Sequence, residues 1–266
     1  MNKIMKKDIV AGLGEIGLPI LKLISKKENA VGYDLDKKLM NEKKFNKLQD
    51  IQTRFLHIAI PVKKNFNSNV FHLYKKFKPE CIVIHSTISP GTTELIQKKL
   101  DIPIIFSATR GIHKRMLKDL QAYTKFFAIS KQAPKKNWAV SQYRNTMKKS
   151  GIKTQQMTKP ETLELAKILC DTTYLGWLVN YAQLTNTIAI KHNVDYDEMW
   201  TFSDEIHAVL GNRPKMFPGF IGGHCVIPNL DLIQNETLNL IKSINDQYSK
   251  QVKNSKNIHK KYIKKT

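Results

Sequence analysis

The chain has 266 residues, 41% of them hydrophobic, and a formal net charge of +22 from 44 Lys and Arg against 22 Asp and Glu. That length and apolar content exclude a fibrous or wholly disordered chain and allow two domains with cores of their own. The cysteines, Cys81, Cys170 and Cys225, are widely spaced and form no CxxC motif, which argues against a disulfide framework or a zinc site and for reduced thiols in the cytoplasm.

No apolar run of about 18 residues occurs, so no membrane span is expected, and Met1–Lys7 leads into an apolar segment rather than a signal-peptide core. The positive charge raises the question of nucleic acid. Nearly all of it is lysine, however, with arginine at 54, 110, 115, 144 and 213 alone, whereas bidentate phosphate and base recognition favours arginine. A solvated lysine surface, or attraction for an anionic small molecule, fits better than nucleic-acid binding.

In chain order, Asp8–Ala11 reads as a short strand. Gly12-Leu13-Gly14-Glu15-Ile16-Gly17 follows, and then apolar positions at Leu18, Ile20, Leu21, Leu23 and Ile24. Strand, glycine turn and helix stand in the order a dinucleotide site needs: one glycine for the tight turn, one for pyrophosphate approach, one for helix packing. Ala30–Asp34 reads as the second strand, ending in an acid 22 residues after Gly12. That acid is expected to hold ribose hydroxyls and to disfavour a 2′-phosphate, so the expected cofactor is NAD. Apolar runs at Phe55–Ile60, Cys81–His85 and Ile102–Phe106, spaced by helix-length segments, predict a parallel sheet covered on both faces. Thr124–Ile129 adds a strand and 138–149 a helix.

Further on, His85-Ser86-Thr87-Ile88-Ser89-Pro90-Gly91-Thr92-Thr93 follows a strand at the edge where open α/β sheets bind ligands. Ser89 capping the next helix, with Pro90 at its first position, is an equally good reason for these residues. Arg110 and His113 follow the fifth strand, suited to an anionic group and to proton transfer respectively, or to plain solvation. Pro160 opens a helix predicted to run to about His192, with an apolar stripe through Leu163, Lys167, Cys170, Tyr174, Trp177, Tyr181, Leu184 and Ile188. Lys167 on that stripe either pairs with Asp171 and snorkels to water or has a chemical task. A helix over about Asp195–Leu210 follows. Then comes Pro218–Asn229, in which Gly222-Gly223-His224-Cys225 gives a sulfur open surroundings; a turn with a buried structural cysteine is the alternative. A helix over about Asp231–Tyr248 and a lysine-rich tail complete the chain.

Five of these features occur together in a known order: the glycine turn, the acid after the second strand, Ser86-Thr87 with Pro90-Gly91-Thr92, Glu164-Leu165-Ala166-Lys167 with Asp171, and Gly222-Gly223-His224-Cys225. Over about residues 8–232 the chain resembles a short, divergent member of the UDP-glucose/GDP-mannose (nucleotide-sugar) dehydrogenase family, within the 6-phosphogluconate-dehydrogenase-like superfamily. The resemblance implies a Rossmann domain over 1–155, an all-helical substrate and dimerisation domain over 156–248 built on the long helix, and a basic tail over 249–266. It further implies NAD-linked oxidation of an alcohol carbon, with Cys225 capturing an aldehyde as a thiohemiacetal before a thioester is hydrolysed. In that scheme Lys167, Asp171 and Thr87 are catalytic. Gly12 through Gly17, Asp34, Ser86 and Thr87 bind the cofactor; Arg110, His113, Gly222, Gly223, His224 and Asn229 meet a small-molecule substrate such as an anionic sugar derivative. No metal is implied, and the partner is a second copy joined through the long helix.

The sequence departs from the family pattern at three places. Ser107–Lys114 carries no acid where the family has its hydrolytic glutamate, Asn229 or Asp231 stands in place of the usual acid after Cys-Ile-Pro, and the chain ends where a second nucleotide-binding-like domain is expected. A single-step hydroxyacid dehydrogenase or reductase using Lys167 is the alternative activity, and a non-catalytic NAD- or nucleic-acid-binding protein the alternative class.

Overall fold

The computed structural model describes residues 5–254 apart from His224. Their contacts divide at Lys167/Ile168 into two compact units. The first is a seven-stranded sheet in the order β2-β1-β3-β4-β5-β6-β7, from β1 (Lys7–Ala11), β2 (Ala30–Tyr33), β3 (Thr53–Ile58), β4 (Cys81–Ile84), β5 (Ile104–Phe106), β6 (Lys125–Ile129) and β7 (Thr154–Gln156). All neighbouring pairs are parallel except β5 and β6. The predicted doubly wound sheet is therefore present, with β6 and the edge strand β7 reversed. β7 has no apolar alternation to betray it, since its Thr-Gln-Gln backbone pairs at an edge without burying a face.

Both faces of the sheet are covered, which is why its strands read as unbroken apolar runs. Val10, Phe55, Val83, Ile105 and Phe127 point into one core with helices α1 (Gly17–Ile24) and α6 (Lys136–Lys149). Ile9, Leu56, Ile82, Ile84 and Phe106 point into the other, beside α3 (Phe66–Phe77), α4 (Thr92–Gln97) and α7 (Pro160–Ala166). Helices α2 (Glu42–Lys47) and α5 (Met116–Ala122) complete the unit, and α5 packs on α1.

The second unit is helical: α8 (Tyr174–Lys191), α9 (Tyr196–Leu210), the short α10 (Val226–Leu230) and α11 (Glu236–Asn254). The long helix expected from Pro160 to about His192 is not one regular α-helix. Lys167–Thr173 is π-helical, and a π turn takes up extra residues, so every side chain beyond it is rotated away from the phase a 3.6-residue period predicts. Leu163 of the predicted stripe is buried and Trp177 half-buried, but most of the rest lies outward. Cys170, Tyr174, Tyr181, Leu184 and Ile188 are exposed, Tyr181 to 58%, while α8 buries Gly176, Asn180, Ala182, Gln183, Asn186 and Ala189. Much of the apolar set of α9 is also outside, with Phe202 87% exposed.

The polar underside of α8 has a clear task. Gln183 donates to Gly219 O at 2.7 Å and to Asn245 Oδ1 at 3.1 Å. Asn245 of α11 in turn accepts from Ile221 N at 2.8 Å and donates to Ile221 O at 3.1 Å. A buried loop backbone needs partners of this kind, and the helix supplies amides where a core helix would supply leucines. The last helix begins five residues later than expected and runs to Asn254, into the segment expected as a tail; residues 255–266 of that tail lie outside the described residues.

Candidate functional site

At the carboxyl edge of β1 the glycine turn is close-packed at two of its three glycines. Gly12 has φ +89°, and a Cβ there would lie 2.5 Å from Ala59 O. At Gly17 a Cβ would meet Gly12 O at 1.7 Å, so the first turn of α1 closes on the strand only because the side chain is missing. At Gly14 nothing lies within 4 Å of that position: the glycine leaves open space rather than relieving a clash. Leu13 is buried beneath the turn and its N–H donates to Asp34 Oδ2 at 2.6 Å. Asp34 Oδ1 accepts from Asp36 N at 2.9 Å, so the carboxylate beyond β2 is fixed beside the turn. Ile16 flanks α1, and no side chain caps the helix.

On the same edge, beyond β4, Ser86 Oγ donates to Ile60 O at 2.6 Å, pinning the loops after β3 and β4 together, and half-buried Thr87 follows. The expected Ser89 cap is not made. Gly91, at φ +84°, flanks α4 without a side-chain cap. The capping group is Glu164 of α7: Oε2 accepts from Gly91 N at 2.6 Å, and Oε1 from Thr93 N at 3.0 Å and Thr93 Oγ1 at 2.5 Å. Glu164 is fully buried, and burial above all raises its pKa against the pull of those donors. It ties the helix that ends beside Lys167 to the Thr87 segment.

The loop after β5 is anchored rather than mobile. Lys125, buried on β6, donates to Ser107 O at 3.1 Å, Ala108 O at 3.2 Å and Thr109 Oγ1 at 2.9 Å. Burial, then the charges of Lys167 and Arg110, bring its pKa down to about 7. Arg110 donates to Thr124 O at 2.8 Å, with its guanidinium 5.1 Å from the centre of the Phe126 ring. His113, expected at the substrate, lies 2.6 Å through Nδ1 from Oε2 of Glu15 in the glycine turn.

Beneath this edge runs a buried column that sequence reasoning missed. His57 Nδ1 is 2.9 Å from His85 Nε2, and His85 Nδ1 is 3.2 Å from Ser107 O. A carbonyl only accepts, so His85 carries its hydrogen on Nδ1, its Nε2 accepts, and His57 Nδ1 donates. That leaves a lone pair on His57 Nε2, which is buried and has no hydrogen-bond partner among the described residues. Burial chiefly, with the Arg54 and Lys125 charges, pushes His57 down to about 3, and burial with Lys125 and His57 holds His85 well below the usual range.

In the second unit Cys225 is an exposed thiol at the start of α10. Gly223 takes φ +76°, a left-handed turn suited to glycine. α10 docks closely on α8, because a Cβ on Gly176 would come within 2.8 Å of Val226 Cγ1. Asn229 Nδ2 donates to Thr172 Oγ1 at 3.3 Å, joining the cysteine segment to the π turn that begins at Lys167 and contains Asp171. Gly222 is exposed beside the Phe220 ring. His224 lies outside the described residues.

No protein-family model matches the chain, and no curated protein matches it in sequence. Among solved structures it is similar to the UDP-D-ManNAc dehydrogenase of Pyrococcus horikoshii, with a TM-score of 0.73 at 19% identity over 93% of this chain and 70% of that one. The UDP-N-acetyl-mannosamine dehydrogenase Cap5O of Staphylococcus aureus gives 0.69 at 18% identity over 92% and 69%. The 3-hydroxyisobutyrate dehydrogenase of Mycobacterium tuberculosis gives 0.64 at 15% identity, covering 94% of both chains. The chain thus shares the fold of nucleotide-sugar and hydroxyacid dehydrogenases.

Proposed function

We propose that the protein is an NAD-dependent dehydrogenase that oxidises an alcohol carbon of a small, nucleotide-sugar-like substrate. The observation that carries this reading is the glycine turn, with open space at Gly14, close packing at Gly12 and Gly17, and Asp34 fixed alongside. These residues fit a dinucleotide: the pyrophosphate would lie against Gly14 and the uncapped start of α1, and Asp34 would take the ribose hydroxyls. When bound, NAD supplies the hydride acceptor.

The chain's own residues would do the rest. The Lys167 ammonium would stabilise the developing oxyanion, and Thr87 would hold the substrate hydroxyl. The Cys225 sulfur would bond to the aldehyde carbon while the carbonyl oxygen takes a proton, giving a thiohemiacetal. The loop Ser107–His113 supplies no acid for hydrolysing a later thioester. That feature favours, as a second reading, a single-step dehydrogenase relying on Lys167 alone. The outward apolar face of α8 supports self-association through that helix.

The test is NADH formation by wild type and Cys225→Ala with UDP-N-acetylmannosamine, UDP-glucose and 3-hydroxyisobutyrate, with products identified by mass spectrometry. Loss of a catalytic nucleophile is expected to lower acid formation by about a thousandfold or more. Unchanged turnover in Cys225→Ala would shift the assignment to the single-step reaction, and wild type that binds no NAD would overturn both.

A further inference from the structure

The residue after Gly14 is an acid, standing in the turn that the dinucleotide reading reserves for a pyrophosphate. The Glu15 side chain is 61% exposed, and α1 has no acid in its first turn and no capping side chain. A carboxylate left to itself here would compete with phosphate for the helix amides and repel it. It is not left to itself, because His113 Nδ1 reaches it at 2.6 Å. The carboxylate accepts, so Nδ1 carries the hydrogen.

His113 is held at that spot from both sides. Ile112 N donates to Asp119 Oδ2 at 2.8 Å. Gly111, at φ +142°, comes so near Asp119 that a Cβ on it would be 2.8 Å from that residue's Cβ. Towards the root of the loop, Lys125 grips Ser107, Ala108 and Thr109, and beyond His113 helix α5 packs on α1. The loop thus delivers one imidazole to the one acid of the glycine turn.

We infer that His113 is an affinity-setting positioning residue of the dinucleotide site, pairing with Glu15 so that the carboxylate is drawn off the pyrophosphate's approach. The inference rests on the dinucleotide reading of the turn. It also assigns His113 to the cofactor's side of the chemistry rather than to the substrate.

The test is a double-mutant cycle on NAD affinity by calorimetry, with wild type, His113→Ala, Glu15→Gln and the double variant. His113→Ala is expected to weaken NAD on the order of tenfold, the cost of one uncompensated like charge near a phosphate at a surface. Removing the carboxylate should bring the double variant to within about threefold of Glu15→Gln alone, and the His113→Ala defect should shrink at high salt. A merely structural histidine would show neither the rescue nor the salt effect. A double variant as weak as His113→Ala, or His113→Ala binding like wild type, would overturn the inference while leaving the dinucleotide site standing. Wild type without NAD affinity would remove the site itself.

Discussion

Alanine at each glycine of the turn separates what the fold needs from what a cofactor needs. At Gly12 the added methyl meets Ala59 O at 2.5 Å in a backbone with φ +89°. Left-handed strain of about 1–2 kcal/mol and overpacking of about 1–3 kcal/mol give about 2–5 kcal/mol of destabilisation. For a unit of this size that is a fall in Tm on the order of 10 °C. Gly17→Ala, driven to 1.7 Å from Gly12 O, should be at least as damaging. Gly14→Ala meets nothing within 4 Å, so its stability should match wild type or exceed it by up to about 1 kcal/mol through a less flexible unfolded chain. On the proposed dinucleotide reading its methyl would nevertheless occupy the pyrophosphate's approach, and one lost charge-assisted contact of about 1.5–3 kcal/mol would weaken NAD about tenfold to a hundredfold. Thermal melts with and without NAD, together with calorimetric titration, read both quantities. Gly14→Ala binding NAD like wild type would refute the assignment of that glycine, and Gly12→Ala as stable as wild type would refute the packing argument.

Two further outcomes follow from groups described above. Lys125 titrates at about 7 in the folded chain, below its ordinary 10.5. Between those values the unfolded chain holds a proton that the folded chain has released, so stability rises with pH across that window and is lost again as pH falls towards 7, at up to about 1.4 kcal/mol per pH unit. Lys125→Met should flatten that slope in urea melts at pH 7 to 10; an unchanged slope would mean the ammonium is not buried as described. Separately, Leu184→Glu with Ile188→Glu on the outward face of α8 should turn a dimer into a monomer by light scattering, and wild type that is already monomeric would refute self-association there.

How far the sequence could be read depended on how local each signal was. The glycine turn and Asp34 were legible because strand, turn, helix and acid lie within one short stretch, each forced by the geometry of its neighbours. The cap on α4 was not, because Glu164 lies 71 residues beyond Thr93 and no spacing rule links them. Periodicity found the stripe on α8 but not the side it faces, which is set by the π turn at Lys167–Thr173 and by a loop whose backbone requires Asn and Gln beneath it. Lys125 was hidden within a strand, its three oxygen partners supplied by a loop that only the reversed β6 brings alongside.

Two stacked, buried histidines invite a role in moving protons, and their hydrogen bonds deny it. The column points one way, from His57 through His85 to the carbonyl of Ser107. To pass a proton along, both rings would have to exchange tautomers, and the terminal carbonyl has no hydrogen to return. Burial also opposes a charge on either ring. The pair is a directed, buried hydrogen-bond column rather than a relay, and in the proposed reaction proton transfer falls to other groups.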